Sequence, residues 1–372
     1  MSIKVSYSTQ KEIVRAAHDL KSQFGTLNPA LVIFFASTAF DPASISKVMH
    51  DTFSPATVFG CSTSGELVSG AMLKNSIVAM AFDAASVKST HIEILQNVKT
   101  EKNIRPKIKT MLGAFEKYAK CPALEIDVNK YLGLILIDGL SLSEERIMDA
   151  VGDLTNVTFI GGSAGDDLKF SATYIYAQGR VYTDAALFAL LEPANGFDII
   201  KTQSFQQTGK TLVATKVDEA TRTVMEFDGQ PAAKRYAEVL GTTVADVSKL
   251  FMKHPLGLMV NGEPFVRSPQ RIDHGNVVFY CNIKEGMALS LLNSTDIIAD
   301  TKKSIEAKQQ TAGTISGIIN FHCILRTLDL EQQGATDQYG KVFANIPSIG
   351  FSTYGEEYIG HINQTSTMVV FK

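Results

Sequence analysis

Apolar residues recur at helical spacing in five stretches of the chain, and these stretches predict amphipathic helices. Each stretch begins near a residue that favours a helix start: Thr9 with Glu12, Asp41 before Pro42, Pro106, Ser141 with Glu144, and Ser294. The predicted inward-facing residues are Ile13, Ala16, Ala17, Leu20 and Phe24; Ile45, Val48, Met49 and Phe53; Ile108, Met111, Leu112 and Phe115; Ile147, Met148 and Val151; and Ile297, Ile298 and Ile305. One apolar stripe on each helix implies that one face packs against other elements.

Short apolar runs lie between these helices and predict buried strands. The runs cover residues 31–35, 78–82, 132–136, 318–325 and 368–371. Residues 170–228 have a β-rich pattern, and further elements are expected as helices at 231–240 and 243–251 and strands at 256–260, 277–283 and 288–292. This mixture predicts sheets that are covered by helices on their outer faces.

One segment of the sequence occurs three times. It is TVFGCSTSGEL at 57–67, TFIGGSAGDDL at 158–168 and, more loosely, IGFSTYGE at 349–356. The glycines and serines that align are Gly60, Gly161 and Gly350, and Ser62, Ser163 and Ser352. Apolar runs lie on either side of the copies, so the sequence predicts a recurring strand–helix–strand–turn–strand unit. We therefore expect an α/β (α+β) fold of two related halves, with mixed sheets packed together.

The repeated glycine–serine turns have a structural and a functional interpretation. Glycine permits sharp turns and close backbone approach, so one turn repeats wherever one fold unit repeats. Alternatively, exposed N–H groups at these turns line a crevice for an anion or a ligand carboxylate. In that interpretation the six aligned glycines and serines are candidate ligand-contact residues.

A catalytic interpretation rests on the same serines. A nucleophile elbow has the pattern Gly-x-Ser-x-Gly at a strand-to-helix turn. Residues Gly161 to Gly165 fit the letters, but a strand is expected to follow them. None of Ser62, Ser163 and Ser352 has a histidine and an acid in the order along the chain that serine hydrolases have. Cys61 precedes Ser62, but the other two copies have Gly162 and Phe351 at that position. We therefore predict a protein that is not an enzyme, and we keep a Ser- or Cys-dependent hydrolase or acyl transferase as the alternative.

Composition narrows the classes of protein further. The 372 residues are 45% apolar, which is enough for a large core. The net charge is −3 without a run of five basic residues, so neither nucleic acid nor an anionic membrane is an expected partner. The N-terminal segment lacks an apolar secretion signal, and no apolar run is long enough to span a bilayer, so we expect a cytoplasmic protein. The four cysteines form no Cys-x-x-Cys pair, which argues against a zinc or iron–sulfur site.

Taken together, these segments resemble the FIST family. Residues 31–228 resemble a FIST N-terminal domain and residues 229–371 a FIST C-terminal domain, which gives predicted domains at 1–228 and 229–372. The resemblance in the second segment rests on PLG at 255–257, VRSP at 266–269, EG at 285–286, FHCILR at 321–326 and GFSTYG at 350–355. It implies a sensory, ligand-binding protein of signal transduction, with amino acids among the ligands proposed for the family. One bacterial branch, which FHCILR and NQTST at 363–367 resemble, consists of nitric-oxide-sensing haemoproteins that regulate histidine kinases.

The resemblance implies candidate residues for a haem b group. His322 and His361 are the candidate iron ligands, Arg326 and Arg267 the candidate partners of propionates or a ligand carboxylate, and Tyr354 a candidate hydrogen-bond donor. Other interpretations remain: a hydrogen-bonded core histidine at 322, a solvent-exposed loop at 361, surface arginines, and a packing role for the tyrosine. No Cys-x-x-Cys-His motif is present for covalent haem. An amino-acid or small-carboxylate sensor without haem, and a ligand-free interaction scaffold, are the alternative functions.

Overall fold

In a computed structural model that describes residues 2–372, the chain folds into two compact units. The first, which we call the repeat body, comprises residues 2–202, 301–361 and 366–372. The second, the inserted body, comprises residues 203–300 and 362–365. The α/β fold with mixed sheets is confirmed. The compact units divide the chain elsewhere than at residue 229, and the predicted family domains at 1–228 and 229–372 stay a prediction.

The described residues contain eight α-helices and twenty-six strands. The helices are α1 (Ile13–Phe24), α2 (Pro42–Phe53), α3 (Arg105–Ala119), α4 (Glu144–Leu154), α5 (Ala232–Leu240), α6 (Ile297–Ala312), α7 (Ile324–Gln332) and α8 (Thr336–Lys341). The strands of the first half of the chain are β1 (Ile3–Ser8), β2 (Leu31–Ser37), β3 (Thr57–Thr63), β4 (Glu66–Val68), β5 (Ala71–Leu73), β6 (Ile77–Phe82), β7 (Val87–Gln96), β8 (Leu132–Ile137), β9 (Phe159–Ser163), β10 (Ile175–Ala177), β11 (Arg180–Tyr182) and β12 (Ala185–Pro193). Those of the second half are β13 (Phe197–Gln203), β14 (Phe205–Asp218), β15 (Thr223–Phe227), β16 (Gln230–Pro231), β17 (Leu256–Val260), β18 (Glu263–Arg267), β19 (Pro269–Asp273), β20 (Asn276–Phe279), β21 (Ala288–Ser294), β22 (Gly317–Cys323), β23 (Ser348–Thr353), β24 (Glu356–Tyr358), β25 (His361–Ile362) and β26 (Thr365–Phe371).

The repeat body contains the same order of elements three times. Repeat 1 runs from β1 to β6, repeat 2 from β7 to β12, and repeat 3 starts at β13 and continues from α6 to β26. The three six-stranded sheets have the orders β1-β6-β2-β3-β10-β11, β7-β12-β8-β9-β24-β25 and β13-β26-β22-β23-β4-β5. Each sheet thus takes four strands from one repeat and a two-stranded hairpin from another. This cyclic exchange of hairpins links the repeats. In the sequence, residues 203–300 are inserted between the first strand of repeat 3 and its remaining elements.

The sheets share one core and have helices on their other faces. Alternate residues of the central strands, among them Phe35, Leu134 and Phe321, form a single apolar cluster between the sheets. The opposite face of the first sheet packs on α1 and α2, and that of the second sheet on α3 and α4. The prediction of helices on the outer faces is therefore confirmed, and strand alternation explains it because successive side chains point to opposite faces.

Close packing of parallel strands explains why the first glycine of the motif recurs. The pairs β2/β3, β8/β9 and β22/β23 are parallel and in the same register. A Cβ added to Gly60 would lie 1.7 Å from the Phe34 carbonyl oxygen, and one added to Gly161 would lie 1.7 Å from that of Ile135. At Gly350 the corresponding distance, to the Asn320 carbonyl oxygen, is 2.2 Å. Only glycine fits at these positions.

The inserted body has its own sheet and core. Strands β14, β15 and β17 to β21 form most of an eight-stranded sheet in the order β18-β17-β21-β14-β15-β20-β19, and β16 pairs with β15. Helix α5 packs on this sheet through Tyr236, which is fully buried beside Phe227 and Phe251. The predicted helix at 243–251 is instead a short 3₁₀ turn at Val247–Leu250.

Several predicted element boundaries were wrong. The first helix begins after Glu12, whose carboxylate accepts the N–H groups of the first turn, so Thr9 is not its cap. Helix α4 begins at Glu144 rather than after Ser141, and Asp296 rather than Ser294 accepts the first N–H groups of α6. The apolar run 318–325 is a strand only as far as Cys323, and α7 begins at the next residue. The largely apolar pattern of this run gives no sign of the change, because buried strands and buried helices are both apolar.

Candidate functional site

The three repeated turns meet in the repeat body. In each turn the serine carbonyl accepts a backbone N–H from the next turn, and the three bonds form a closed cycle. They are Gly165 to Ser62 (3.0 Å), Tyr354 to Ser163 (3.1 Å) and Ser64 to Ser352 (3.2 Å). The turns lie at the carboxyl ends of parallel strands, the edge of an α/β sheet where ligands commonly bind.

The serine hydroxyls of these turns face inward and are engaged by the protein. Ser62 Oγ donates to the Gly165 carbonyl at 2.8 Å, and Ser352 Oγ lies 2.8 Å from Thr327 Oγ1. All three serines are fully buried. Burial also raises the pKa of the Cys61 thiol, and the Glu357 carboxylate adds to this, which disfavours the reactive thiolate. The structure therefore links Ser62, Ser163 and Ser352 in a scaffold without exposing a nucleophile. It places Gly60, Gly161 and Gly350 within β3, β9 and β23, so the expectation that they lie in turns was wrong.

A cavity of about 240 Å³ opens beside two of the turns, and we call it the turn cavity. Its lining combines two lysines, two acids, two neutral polar residues and three aliphatic residues: Lys74, Lys169, Asp167, Glu331, Ser64, Asn75, Leu168, Ile324 and Leu328. Ser64 belongs to the turn of repeat 1 and the 167–169 segment to repeat 2, while helix α7 of repeat 3 contributes Ile324, Leu328 and Glu331. All three repeats thus contribute to one concave site.

Charges of both signs are paired around this cavity. The Lys74 ammonium lies 2.7 Å from the Glu331 carboxylate. Lys169 Nζ lies 4.0 Å from Asp167 Oδ2, and that oxygen also accepts the Thr38 hydroxyl at 3.1 Å. The two lysines are more than half exposed, so both ion pairs can open toward solvent at small cost.

Tyr354 lies next to the cavity but is used by the protein itself. Its hydroxyl donates to the Asp166 carboxyl group and accepts the Leu168 N–H at 2.9 Å. Burial and the neighbouring Asp166 raise the pKa of Tyr354, so the hydroxyl stays protonated. Its ring stacks on Phe170 with a centroid distance of 5.1 Å.

His322 lies in a buried polar layer that occurs only in repeat 3. In register, Asn320 and His322 occupy the positions of Phe34 and Ala36 in repeat 1, and of apolar residues in repeat 2. His322 Nδ1 lies 3.0 Å from the Tyr339 hydroxyl, which also accepts the Asn320 amide at 3.3 Å. Within residues 2–372, His322 Nε2 has no hydrogen-bond partner. Burial, with the Arg326 charge, holds the pKa of His322 well below its usual range, so the ring is neutral.

The two predicted arginines lie in different units. Arg326 is 2% exposed on α7 and donates to Thr301 Oγ1 at 3.0 Å, so the interpretation as an exposed residue at a strand end was wrong. Arg267 ends β18 of the inserted body, and its Nη1 contacts the carbonyl of Val266 at 3.3 Å.

His361 belongs to a buried acid cluster that sequence reasoning missed. Its Nδ1 lies 3.6 Å from Glu357 Oε1, and Ser163 Oγ donates to the same oxygen at 2.9 Å. Glu144 Oε1 lies 3.3 Å from that serine hydroxyl. Burial raises the pKa of Glu357 to about 7. His361 is 4% exposed, so it is not a solvent-exposed loop residue. The sequence does contain one sign of this cluster, because Glu357 is an acid at the position that Leu67 occupies in repeat 1.

Neither candidate histidine has room for a porphyrin in this conformation. The His322 ring packs on the Tyr339 ring at 4.6 Å, and a Cβ added to Gly355 would lie 2.0 Å from the His361 ring. Neither histidine lines the turn cavity, which is smaller than the roughly 300–1,000 Å³ typical of sites for larger ligands.

Among residues 2–372, no three His, Cys, Asp or Glu side chains form a metal-ion site. In the same part of the chain, no helix has both the length and the apolarity to cross a membrane.

Two family models match the chain. The FIST N domain matches residues 30–230, and the FIST C domain matches residues 232–358. An uncharacterized protein of the archaeon Methanocaldococcus jannaschii is 27% identical over 317 residues. That match covers 80% of this chain and 60% of the archaeal protein, so the chain spans about 60% of that relative's length. The chain belongs to the FIST family, whose domains are generally sensory domains of signal transduction.

Proposed function

We propose that this protein is a sensory module that binds a small zwitterion, such as an amino acid, in the turn cavity. The observation that carries this proposal is the lining, with two lysines, two acids and an aliphatic wall around about 240 Å³. Lys74 and Lys169 would bind the ligand carboxylate, and Glu331 would bind its ammonium group. Leu168, with Ile324 and Leu328, would contact the apolar part of the ligand.

Signalling requires that the ligand bind two conformations unequally. Helix α7 is the element that can report occupancy, since it contributes Ile324, Leu328 and Glu331 to the cavity wall. Its opposite side carries Arg326 and Thr327 into the buried interior of repeat 3. A ligand that separates the Lys74–Glu331 pair would shift α7 and thus the polar layer below it. The receiver we propose is a cytoplasmic signalling protein, for example a histidine kinase.

Ligand screening tests the proposal. The twenty L-amino acids are added one at a time at millimolar concentration, melting temperatures are recorded, and the largest shift is followed by titration calorimetry. Lys169→Ala and Glu331→Gln should each weaken binding about tenfold, the effect of losing one charge-assisted hydrogen bond. Lys47→Ala is the matched control, because Lys47 also forms an exposed ion pair, on α2. Absence of binding by every amino acid, or equal affinity in all variants, would contradict the proposal and favour a ligand-free scaffold.

Haem-based nitric oxide sensing, with control of a histidine kinase, is the second candidate. One observation favours it: His322 is a buried, neutral imidazole whose Nε2 has no hydrogen-bond partner in residues 2–372. Binding would require Tyr339 and α7 to move away and make room. An absorption spectrum of the protein as isolated, and again after hemin is added, tests this candidate. A Soret band that is lost in His322→Ala supports it, and a spectrum of free hemin only rejects it.

The catalytic alternative is tested separately. Because Ser62 and Ser163 are fully buried and Cys61 is held as a thiol, we propose that the protein has no hydrolase or acyl-transferase activity. Turnover of p-nitrophenyl acetate should equal that of buffer. Turnover that is lost in Ser62→Ala or Ser163→Ala would reverse this conclusion.

A further inference from the structure

One loop distinguishes repeat 2 from the other repeats. Only residues 64–65 separate β3 from β4, and only residues 354–355 separate β23 from β24. The equivalent connection in repeat 2, from β9 to β10, runs through residues 164–174. We call residues 166–172 the clamp loop. Its residues Asp167, Leu168 and Lys169 form one side of the turn cavity.

The clamp loop is held by the carboxyl group of Asp166. Asp166 is 1% exposed. Its two oxygens accept the backbone N–H groups of Phe170 (2.9 Å), Ser171 (2.6 Å) and Ala172 (3.0 Å). The Tyr354 hydroxyl donates to the same carboxyl group. One buried side chain therefore organises the whole loop, and a tyrosine from repeat 3 completes its hydrogen bonds.

Tyr354 makes three further contacts with the loop. Its hydroxyl oxygen accepts the N–H of Leu168 at 2.9 Å and that of Asp166 at 3.3 Å. Its ring stacks on Phe170, although 53% of Phe170 is exposed. Repeat 1 also contacts the loop, since Ser64 Oγ accepts the Asp167 N–H at 3.1 Å and Thr38 donates to the Asp167 carboxylate. Tyr354 makes both polar and apolar contacts with the loop.

The loop backbone would not keep this shape by itself. Asp167, Leu168 and Phe170 have φ angles of 56°, 62° and 49°, in the left-handed region that non-glycine residues disfavour. Such conformations persist only where surrounding contacts impose them, and they occur often at ligand-binding sites. Removal of the Tyr354 contacts should therefore let the loop relax.

We propose that Tyr354 is a positioning residue that sets the shape of the turn cavity and thereby the affinity for its ligand. It does so through Asp166 and the backbone of the clamp loop, without contacting the ligand. This inference rests on the proposed function for its effect on binding, but the effect on the loop is independent of any ligand.

Amide hydrogen exchange of the ligand-free, full-length protein tests the clamp. Tyr354→Phe keeps the ring and removes the hydroxyl, so exchange at Leu168, Phe170, Ser171 and Ala172 should accelerate at least about tenfold. Exchange in β2 and β8 should stay unchanged. Phe170→Ala is the matched control, since it removes the ring contact and leaves the hydroxyl bonds, and its effect should be smaller. If Tyr354→Phe does not fold, Asp166→Asn tests the same bonds. Unchanged exchange in the loop would overturn the proposal.

Binding provides the second readout. In the screen with the twenty amino acids, the affinity of Tyr354→Phe for the best binder should fall about tenfold. Equal affinity with a loosened loop would overturn the role of Tyr354 in binding. If the wild-type protein binds no amino acid, the proposed function fails, and the exchange experiment still decides whether the clamp exists.

Discussion

Gly161→Ala tests the parallel strand packing on which all three repeats depend. The new Cβ would lie 1.7 Å from the Ile135 carbonyl oxygen and 2.8 Å from Ile135 Cγ2. The first contact is with backbone, so no side-chain rotation relieves it. Strands β8 and β9 would have to separate by about 1.5 Å to reach van der Waals contact, out of a normal spacing of about 4.8 Å.

The cost follows from two terms. Overpacking a filled interior costs about 1–3 kcal/mol, and each strained or lost ladder hydrogen bond costs about 1 kcal/mol more. We expect Gly161→Ala to lower the free energy of unfolding by about 4 kcal/mol, which is large for a single methyl group.

A second glycine supplies the control. Gly152 lies on α4, and a Cβ there would meet no atom within 4 Å. Gly152→Ala should therefore stabilise the protein by about 0.5–1 kcal/mol through helix propensity. Urea unfolding followed by far-UV circular dichroism compares the two variants with the wild type. A loss below 1 kcal/mol for Gly161→Ala would refute the strand arrangement described above.

Three further outcomes are expected. Because burial raises the pKa of Glu357 from 4.5 to about 7, the folded state keeps a proton that the unfolded state has lost, so stability falls as pH rises between these values. Above pH 7, Glu357→Gln should be more stable than the wild type by up to about 3 kcal/mol, whereas at pH 4 the two should have equal stability. Urea midpoints at the two pH values measure this difference. Cys121 is the partly exposed thiol, so a thiol reagent such as DTNB should modify it in the native protein and modify Cys61 only after unfolding. Tyr339→Phe leaves the His322 and Asn320 hydrogen bonds unmade, so melting should show a loss of about 1–3 kcal/mol, whereas Tyr7→Phe at an exposed position should be neutral.

The sequence predicted the repeat and its strands because short apolar runs and glycine spacing are local patterns. It also predicted that Gly60, Gly161 and Gly350 are equivalent, but the structure places them within strands β3, β9 and β23 rather than in turns. Helix starts were less predictable, since several polar residues near Thr9 or Ser294 compete to accept the same N–H groups.

Other features could not be predicted because they depend on distant contacts. Arg326 follows an apolar run, and only the fold shows that the run turns into a helix that carries the side chain inward. Glu144 and Glu357 have no sequence signal that joins them, yet both lie against Ser163. The cavity residues Lys74, Asp167 and Glu331 come from three repeats, so no local motif contains them.

The central claim is that the turn cavity binds a small zwitterion. A crystal structure of the protein with its best-binding amino acid measures this directly. Our account predicts ligand density between Lys169 and Glu331, with the Lys74–Glu331 ion pair opened and the ligand side chain against Leu328. Density at another place, or a turn cavity that is unchanged at saturating ligand, would contradict it.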